Sequence, residues 1–214
     1  MITVQIASVP EREEMLEKTV ESLRPQVDKI WVGLNKYQHK PKFLKDNECA
    51  ILDNSTGDAV KFYNAENLKG WVLTCDDDLI YPKGYVQYMT ERAKVYKGIV
   101  TLHGKIHRPP IRFSPANEAY RCLGEVKKDV RVDVGGTGVM CYHTSVMKVA
   151  YSAFKMANMA DLWMAKQAKE QGVKIYVLKH PENYLTYQAP EETIWGTYLP
   201  TGFTLQTKVL KSFM

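Results

Sequence analysis

From residue 2 to residue 103 the chain alternates short β-branched runs with amphipathic helical stretches, and this alternation constrains the fold more than any other feature. "ITVQIASV" (2–9) reads as a buried strand. "EREEMLEKTVESLR" (11–24) follows, with Met15, Leu16, Thr19, Val20 and Leu23 at helical spacing, acids in the first turn and Pro25 after the last. Further strands are predicted over 28–34, 48–53, 70–75 and 98–103. Helices are predicted over 57–68, with Asp58 as N-cap, and over 83–96, with Pro82 in the first turn. Strand followed by helix, repeated, means βα units and a mainly parallel sheet. The expected class is α/β: one Rossmann-like domain whose mixed, mainly parallel central sheet is flanked by helices.

Periodicity fails between 104 and 129, where Pro109, Pro110 and Pro115 sit among scattered Arg and Lys, so a functional loop is expected there. Residues 130–146 return to strand–turn–strand character, 156–172 reads as a helix and 173–178 as a last strand. Beyond Pro181 the chain is aromatic and polar until 204–213. The expected organisation is one core region over 1–180, with 181–214 as an extension packed on it.

A chain of 214 residues buries about 70% of its extended surface and needs no disulfide staples. Cys49, Cys75, Cys122 and Cys141 form no CxxC pair, which argues against structural zinc and fits free thiols in a reducing, cytoplasmic compartment. "MITVQIASVP" lacks the basic n-region of a signal peptide, and no apolar run approaches the ~18 residues of a membrane span. The net charge of +5 is too mild to diagnose a nucleic-acid binder.

Candidate chemistry sits in "GWVLTCDDDLIYP" (70–82), where Asp76, Asp77 and Asp78 crowd the end of a predicted buried strand. Open parallel sheets bind ligands at the carboxyl ends of their strands. Mg²⁺ or Mn²⁺ combines one or two such carboxylates with phosphate oxygens and water. The bland alternative is a polar turn before the next helix.

Several blocks, in order and spacing, resemble the nucleotide-sugar glycosyltransferases of the GT-A fold, closest to family 2. They are "ASVPEREEMLEKTVESLRPQVDKIWVGLN", "GDAVKFY", "LTCDDDLIYP", "VGGTGVM" and "MADLWMAKQAKEQGVKIYVL". The resemblance covers about residues 1–180. It implies an Asp-x-Asp pair, Asp76 and Asp78, holding Mn²⁺ or Mg²⁺ on the donor diphosphate. A register counted back from Pro82 would use Cys75 and Asp77 instead. Cysteine is a poor substitute for a ribose-facing carboxylate, and Asp77 stays among the donor-binding candidates.

The resemblance further implies that Ala7, Ser8 and Val9 face the nucleobase, that Arg12 lies near phosphate, and that Asp58 and Lys61 approach the nucleotide. Asn35 stands where relatives often carry an acid. The base that deprotonates the acceptor falls on Asp161, since an "ED" motif reads Ala160-Asp161 here; helix N-capping is the structural alternative. His180 follows the last strand, where some relatives complete the metal shell. His103, Gly136 and Thr137 are candidate acceptor contacts. "GGTG" (135–138) is not a phosphate loop, because no GKS follows.

Residues 103–131 carry seven basic residues, Arg108 and Arg112 among them, against Glu118, Glu125 and Asp129. That points to an anionic acceptor, a saccharide ahead of a hydroxylated DNA base. The expected activity is an inverting, metal-dependent transfer of a sugar from a nucleoside-diphosphate sugar to a hydroxyl. A nucleotidyltransferase of related fold is the second reading, although "SVPEREE" lacks the glycine-rich basic loop it requires. A binding module that keeps the fold is the third.

Overall fold

The computed structural model describes residues 1–191 and 194–214. The first half runs β1 (Ile2–Ser8), α1 (Glu13–Leu23), β2 (Lys29–Asn35), β3 (Cys49–Leu52), β4 (Trp71–Asp76), β5 (Leu79–Ile80), α2 (Tyr85–Tyr96) and β6 (Ile99–Thr101). The second half runs β7 (Gly104–Ile106), β8 (Glu118–Tyr120), β9 (Val130–Val132), β10 (Val134–Gly135), β11 (Val139–His143), α3 (Ala160–Glu170), β12 (Ile175–Val177), β13 (Thr186–Tyr187), α4 (Ile194–Tyr198) and α5 (Thr204–Lys211).

One eight-stranded sheet, in the order β3-β2-β1-β4-β11-β6-β12-β9, organises the domain. β3, β2, β1 and β4 are mutually parallel, as the βα alternation requires. β11 enters antiparallel between β4 and β6, and β9 closes the edge antiparallel to β12. The strands are apolar because helices or short 3₁₀ turns cover both faces. On one side Leu16, Val20 and Leu23 of α1 and Val86 and Met89 of α2 are buried. On the other, Phe62, Met164, Ala165 and Leu210 pack together. Each fully buried Leu or Val on α1 contributes about 1.5–3 kcal/mol of transfer free energy, so a charge at Leu16 would break the packing of that helix.

Three sequence expectations need correction. Residues 57–68 form no α-helix but two 3₁₀ turns, Gly57–Phe62 and Ala65–Asn67. Asp58 does not cap that segment, where the N-cap is Thr56; its carboxylate instead accepts from the Ala160 N–H at the start of α3. The helix after Pro82 begins at Tyr85, because Gly84 takes a left-handed conformation (φ 87°) that holds Pro82 and Lys83 outside it.

The C-terminal residues pack against the rest of the chain: Val209 and Leu210 of α5 join the core beside α3, and β13 pairs with β5 in a separate two-stranded sheet. Among the described residues no helix is long and apolar enough to cross a membrane.

Candidate active site

A cavity of about 550 Å³ opens at the carboxyl ends of β1, β2 and β4. Its wall contains every donor-side candidate: Ala7, Ser8, Val9, Arg12, Asn35, Asp58, Lys61, Asp76 and Asp77. Asp78, His103, Gly136, Thr137 and Asp161 line it as well. His180, Arg108 and Arg112 do not.

The three adjacent acids have three different surroundings. Asp76 ends β4 with its side chain 45% exposed, and its Oδ1 accepts from Lys61 Nζ at 2.6 Å. Asp77 turns inward, 4% exposed, and accepts from Ser8 Oγ at 2.6 Å and Arg12 Nη1 at 3.0 Å. Asp78 Oδ2 lies 3.4 Å from the same guanidinium nitrogen. Burial, then repulsion from Asp76 and Asp77, pushes the Asp78 carboxyl up to about 7. Burial also raises Asp77 against the opposing pull of Arg12 and Ser8. Cys75, the alternative partner in the motif, faces the core and is fully buried.

The backbone of the triplet is held from behind. Thr19 Oγ1 donates to the carbonyl of Asp77 or Leu79, at 3.0 and 2.8 Å. Gln188 N–H donates to the Asp78 carbonyl, at 2.9 Å. Such anchoring fixes the carboxylates on rigid elements, as a ligand-binding constellation requires.

In the same cavity wall, Asp161 occupies the first turn of α3 without capping it, the N-cap being Met159. Its Oδ1 accepts from both Thr137 N and Thr137 Oγ1, each at 2.7 Å. The same turn meets β4: Gly138 O accepts from Asp76 N at 3.2 Å and from Tyr81 Oη at 2.6 Å. A Cβ on Gly138 would stand 1.8 Å from Asp76 Oδ2. The glycine-rich turn therefore joins the two sets of acids.

Buried Lys61, 2% exposed, answers several carboxylates, and their charges raise its ammonium pKa above the ordinary lysine value even though burial opposes this. Burial pushes Asp58 up to about 7, Lys61 pulling it down and Asp161 and Asp76 pushing it up. Burial also holds His103 below the usual imidazole range. Asn35 Nδ2 donates to Gly57 O at 3.0 Å, while its Oδ1 is buried without a partner.

His180 lies elsewhere. Its Nδ1 faces Leu178 O at 2.7 Å and its Nε2 faces Arg121 O at 3.2 Å, so both ring nitrogens are engaged with carbonyls away from the cavity. Arg108 is exposed and pairs with Glu118 at 3.0 Å, and Arg112 is exposed. Arg12 faces Asp77 and Asp78 from its 3₁₀ turn, and so neutralises the acids directly. Sequence reasoning missed Phe113, Tyr198, Phe203 and Gln206 on the wall. The signal for Gln206 was available: it sits three residues before Val209 on the apolar face of the 204–213 pattern.

No protein-family model and no curated protein matches the chain. Among solved structures it is similar to S. aureus TarS 1–349, with 14% identity and a TM-score of 0.54, over 99% of this chain and 70% of that one. The same fragment in complex with UDP-GlcNAc matches with 14% identity and a TM-score of 0.51, over 92% of this chain and 60% of that one. The sheet order and these similarities define a GT-A fold.

Proposed function

We propose that the protein is a glycosyltransferase that takes a sugar from a nucleoside-diphosphate sugar and places it on an acceptor hydroxyl with inversion. The observation that carries the reading is the placement of Asp76 and Asp78 at the end of β4 in one cavity with Asp161, which the Thr137–Gly138 turn links to Asp76. The likeness to a fragment whose structure holds UDP-GlcNAc supports a nucleotide-sugar donor.

The donor set fits a hard divalent cation: it offers carboxylate oxygens, and the crowding that raises Asp78 is relieved by positive charge. Among the described residues no group of three or more His, Cys, Asp or Glu is arranged to hold a metal alone, so Asp76 and Asp78 would share Mn²⁺ or Mg²⁺ with ligand oxygens. Such an ion supplies charge neutralisation to the departing diphosphate.

The rest is done by the chain. Asp161, oriented by Thr137, takes the proton from the acceptor hydroxyl. The acceptor oxygen bonds to the anomeric carbon while the bond from that carbon to the diphosphate oxygen breaks, and the nucleoside diphosphate leaves. Lys61 adds buried positive charge on the donor side. A thermal-shift screen of UDP-, GDP- and dTDP-sugars with Mn²⁺ tests the reading: at least one should raise Tm, and none doing so would remove its basis.

A further inference from the structure

The segment of α4 and α5 has two faces. Inward, Tyr198, Phe203 and Gln206 line the cavity, and Val209 and Leu210 join the core. Outward, Leu199 is 53% and Leu205 47% exposed, and Ile194 is exposed as well. A tight turn joins the helices: Gly202 N donates to Leu199 O at 3.4 Å, and Thr204 Oγ1 to Thr201 O at 3.2 Å. Leu199 and Leu205 therefore flank one turn. Lys208 lies three residues from both Leu205 and Lys211, so these three run along the exposed side of α5. One exposed leucine is ordinary on a protein surface. Leucines gathered round a turn and continued by lysines are the pattern of a helix that lies on a membrane.

Charge points the same way. Residues 194–214 contain Lys208 and Lys211 and neither Asp nor Glu, the nearest acids before them in sequence being Glu191 and Glu192. Neighbouring segments add cations. Phe113 N donates to Thr207 Oγ1 at 3.1 Å, which brings the loop carrying exposed Arg112 against α5. Exposed Lys169 of α3 donates to Met214 O at 3.3 Å, while the adjacent Glu170 pairs with Lys166 at 2.9 Å. The apolar part is small: Ile194, Leu199, Leu205 and Met214 expose a few hundred Å² at most, short of the roughly 800 Å² per partner of a stable protein interface. An anionic bilayer asks for less. Leucine side chains need only shallow burial, and lysine stems lie along the interface with their ammonium groups among the headgroups.

We propose that the outer face of α4 and α5 is a docking surface for an anionic lipid bilayer. Leu199 and Leu205 enter the headgroup boundary, and Lys208 and Lys211 meet the anionic headgroups. The cavity on the inner face of the same segment is thereby held close to the membrane. This contact is peripheral and does not depend on the transferase reading.

The test floats the full chain through a sucrose gradient with vesicles of mixed phosphatidylcholine and phosphatidylglycerol, or of phosphatidylcholine alone, at low and at moderate salt. Wild type should float with the mixed vesicles at least fivefold more than with the neutral ones, and lose most of that advantage as salt rises. Lys208→Glu combined with Lys211→Glu should cut flotation on mixed vesicles about tenfold at low salt. Leu199→Ser combined with Leu205→Ser should cut it about fivefold at either salt concentration. All four side chains are exposed, so both variants should keep the wild-type Tm, and that measurement excludes misfolding as the cause. No flotation of wild type on mixed vesicles, equal flotation on neutral ones, or flotation indifferent to either variant pair overturns the inference. So does a lipid-free dimer, seen by sedimentation velocity, that the two leucine substitutions abolish, since the face would then belong to a second copy. Neither donor nor acceptor is present, so each of these failures leaves the transferase reading standing.

Discussion

Lys61 and Asp76 form an asymmetric ion pair: the ammonium is buried, its partner is nearly half exposed, and Nζ stands 2.6 Å from Oδ1. A lysine kept so deep, beside Asp58 as well, is held in place by the charges at the cavity floor. Such an arrangement costs desolvation and gains little stability by itself, and on the proposed function it would present positive charge to the donor diphosphate. Lys61→Met should therefore weaken nucleoside-diphosphate binding at least tenfold by calorimetry. Unaltered binding would assign the pair a purely structural role.

Asp161 is held by two hydrogen bonds from Thr137, and an amide oxygen can accept both. Asp161→Asn should consequently keep Tm within a degree or two while cutting sugar transfer at least a hundredfold, the scale of a lost general base. Retained turnover in this variant would move the base elsewhere.

Gly138 touches the Asp76 carboxylate so closely that any side chain must displace it. Gly138→Ala is expected to weaken Mn²⁺ binding severalfold, read by titration, with the sheet intact by circular dichroism. Equal Mn²⁺ affinity would mean that Asp76 does not hold the ion.

Asp58 supplies a pH signature. Its folded carboxyl titrates at about 7 against an ordinary value of 3.8, so between these values the folded chain binds a proton that the unfolded chain does not. Its contribution to stability therefore falls as pH rises through that window. Asp58→Asn retains an acceptor for the Ala160 N–H and loses the titration. The Tm of the variant relative to wild type should climb between pH 5 and pH 8, by about 2–4 °C per kcal/mol. Parallel curves would contradict the burial of that charge.

The N-terminal half of the fold was legible because its signals are local: β-branched runs, the helical spacing of Leu16, Val20 and Leu23, and prolines at the boundaries. The acids at the end of β4 were legible for the same reason, since strand ends and ligand sites coincide in such sheets. Their individual roles were not. Which carboxylate meets Lys61 and which meets Arg12 depends on how the chain turns after Asp76, and the triplet carries no sign of it. Asp58 was misread because a local cap and a cap on α3, about a hundred residues away, look alike in sequence. The pairing of Leu79–Ile80 with Thr186–Tyr187 is likewise a long-range contact without local pattern. His180 misled by position alone, as its ring nitrogens are engaged by carbonyls that no motif announces.

The most direct test is calorimetric titration of the preferred nucleotide sugar into wild type and Asp78→Asn, each with Mn²⁺ and again with EDTA. If the carboxylates at the end of β4 hold a cation on the donor diphosphate, wild type should bind with Mn²⁺ and lose at least tenfold in affinity with chelator. Asp78→Asn should show the weaker value in both conditions. Identical affinities for both proteins, with and without Mn²⁺, would contradict the account.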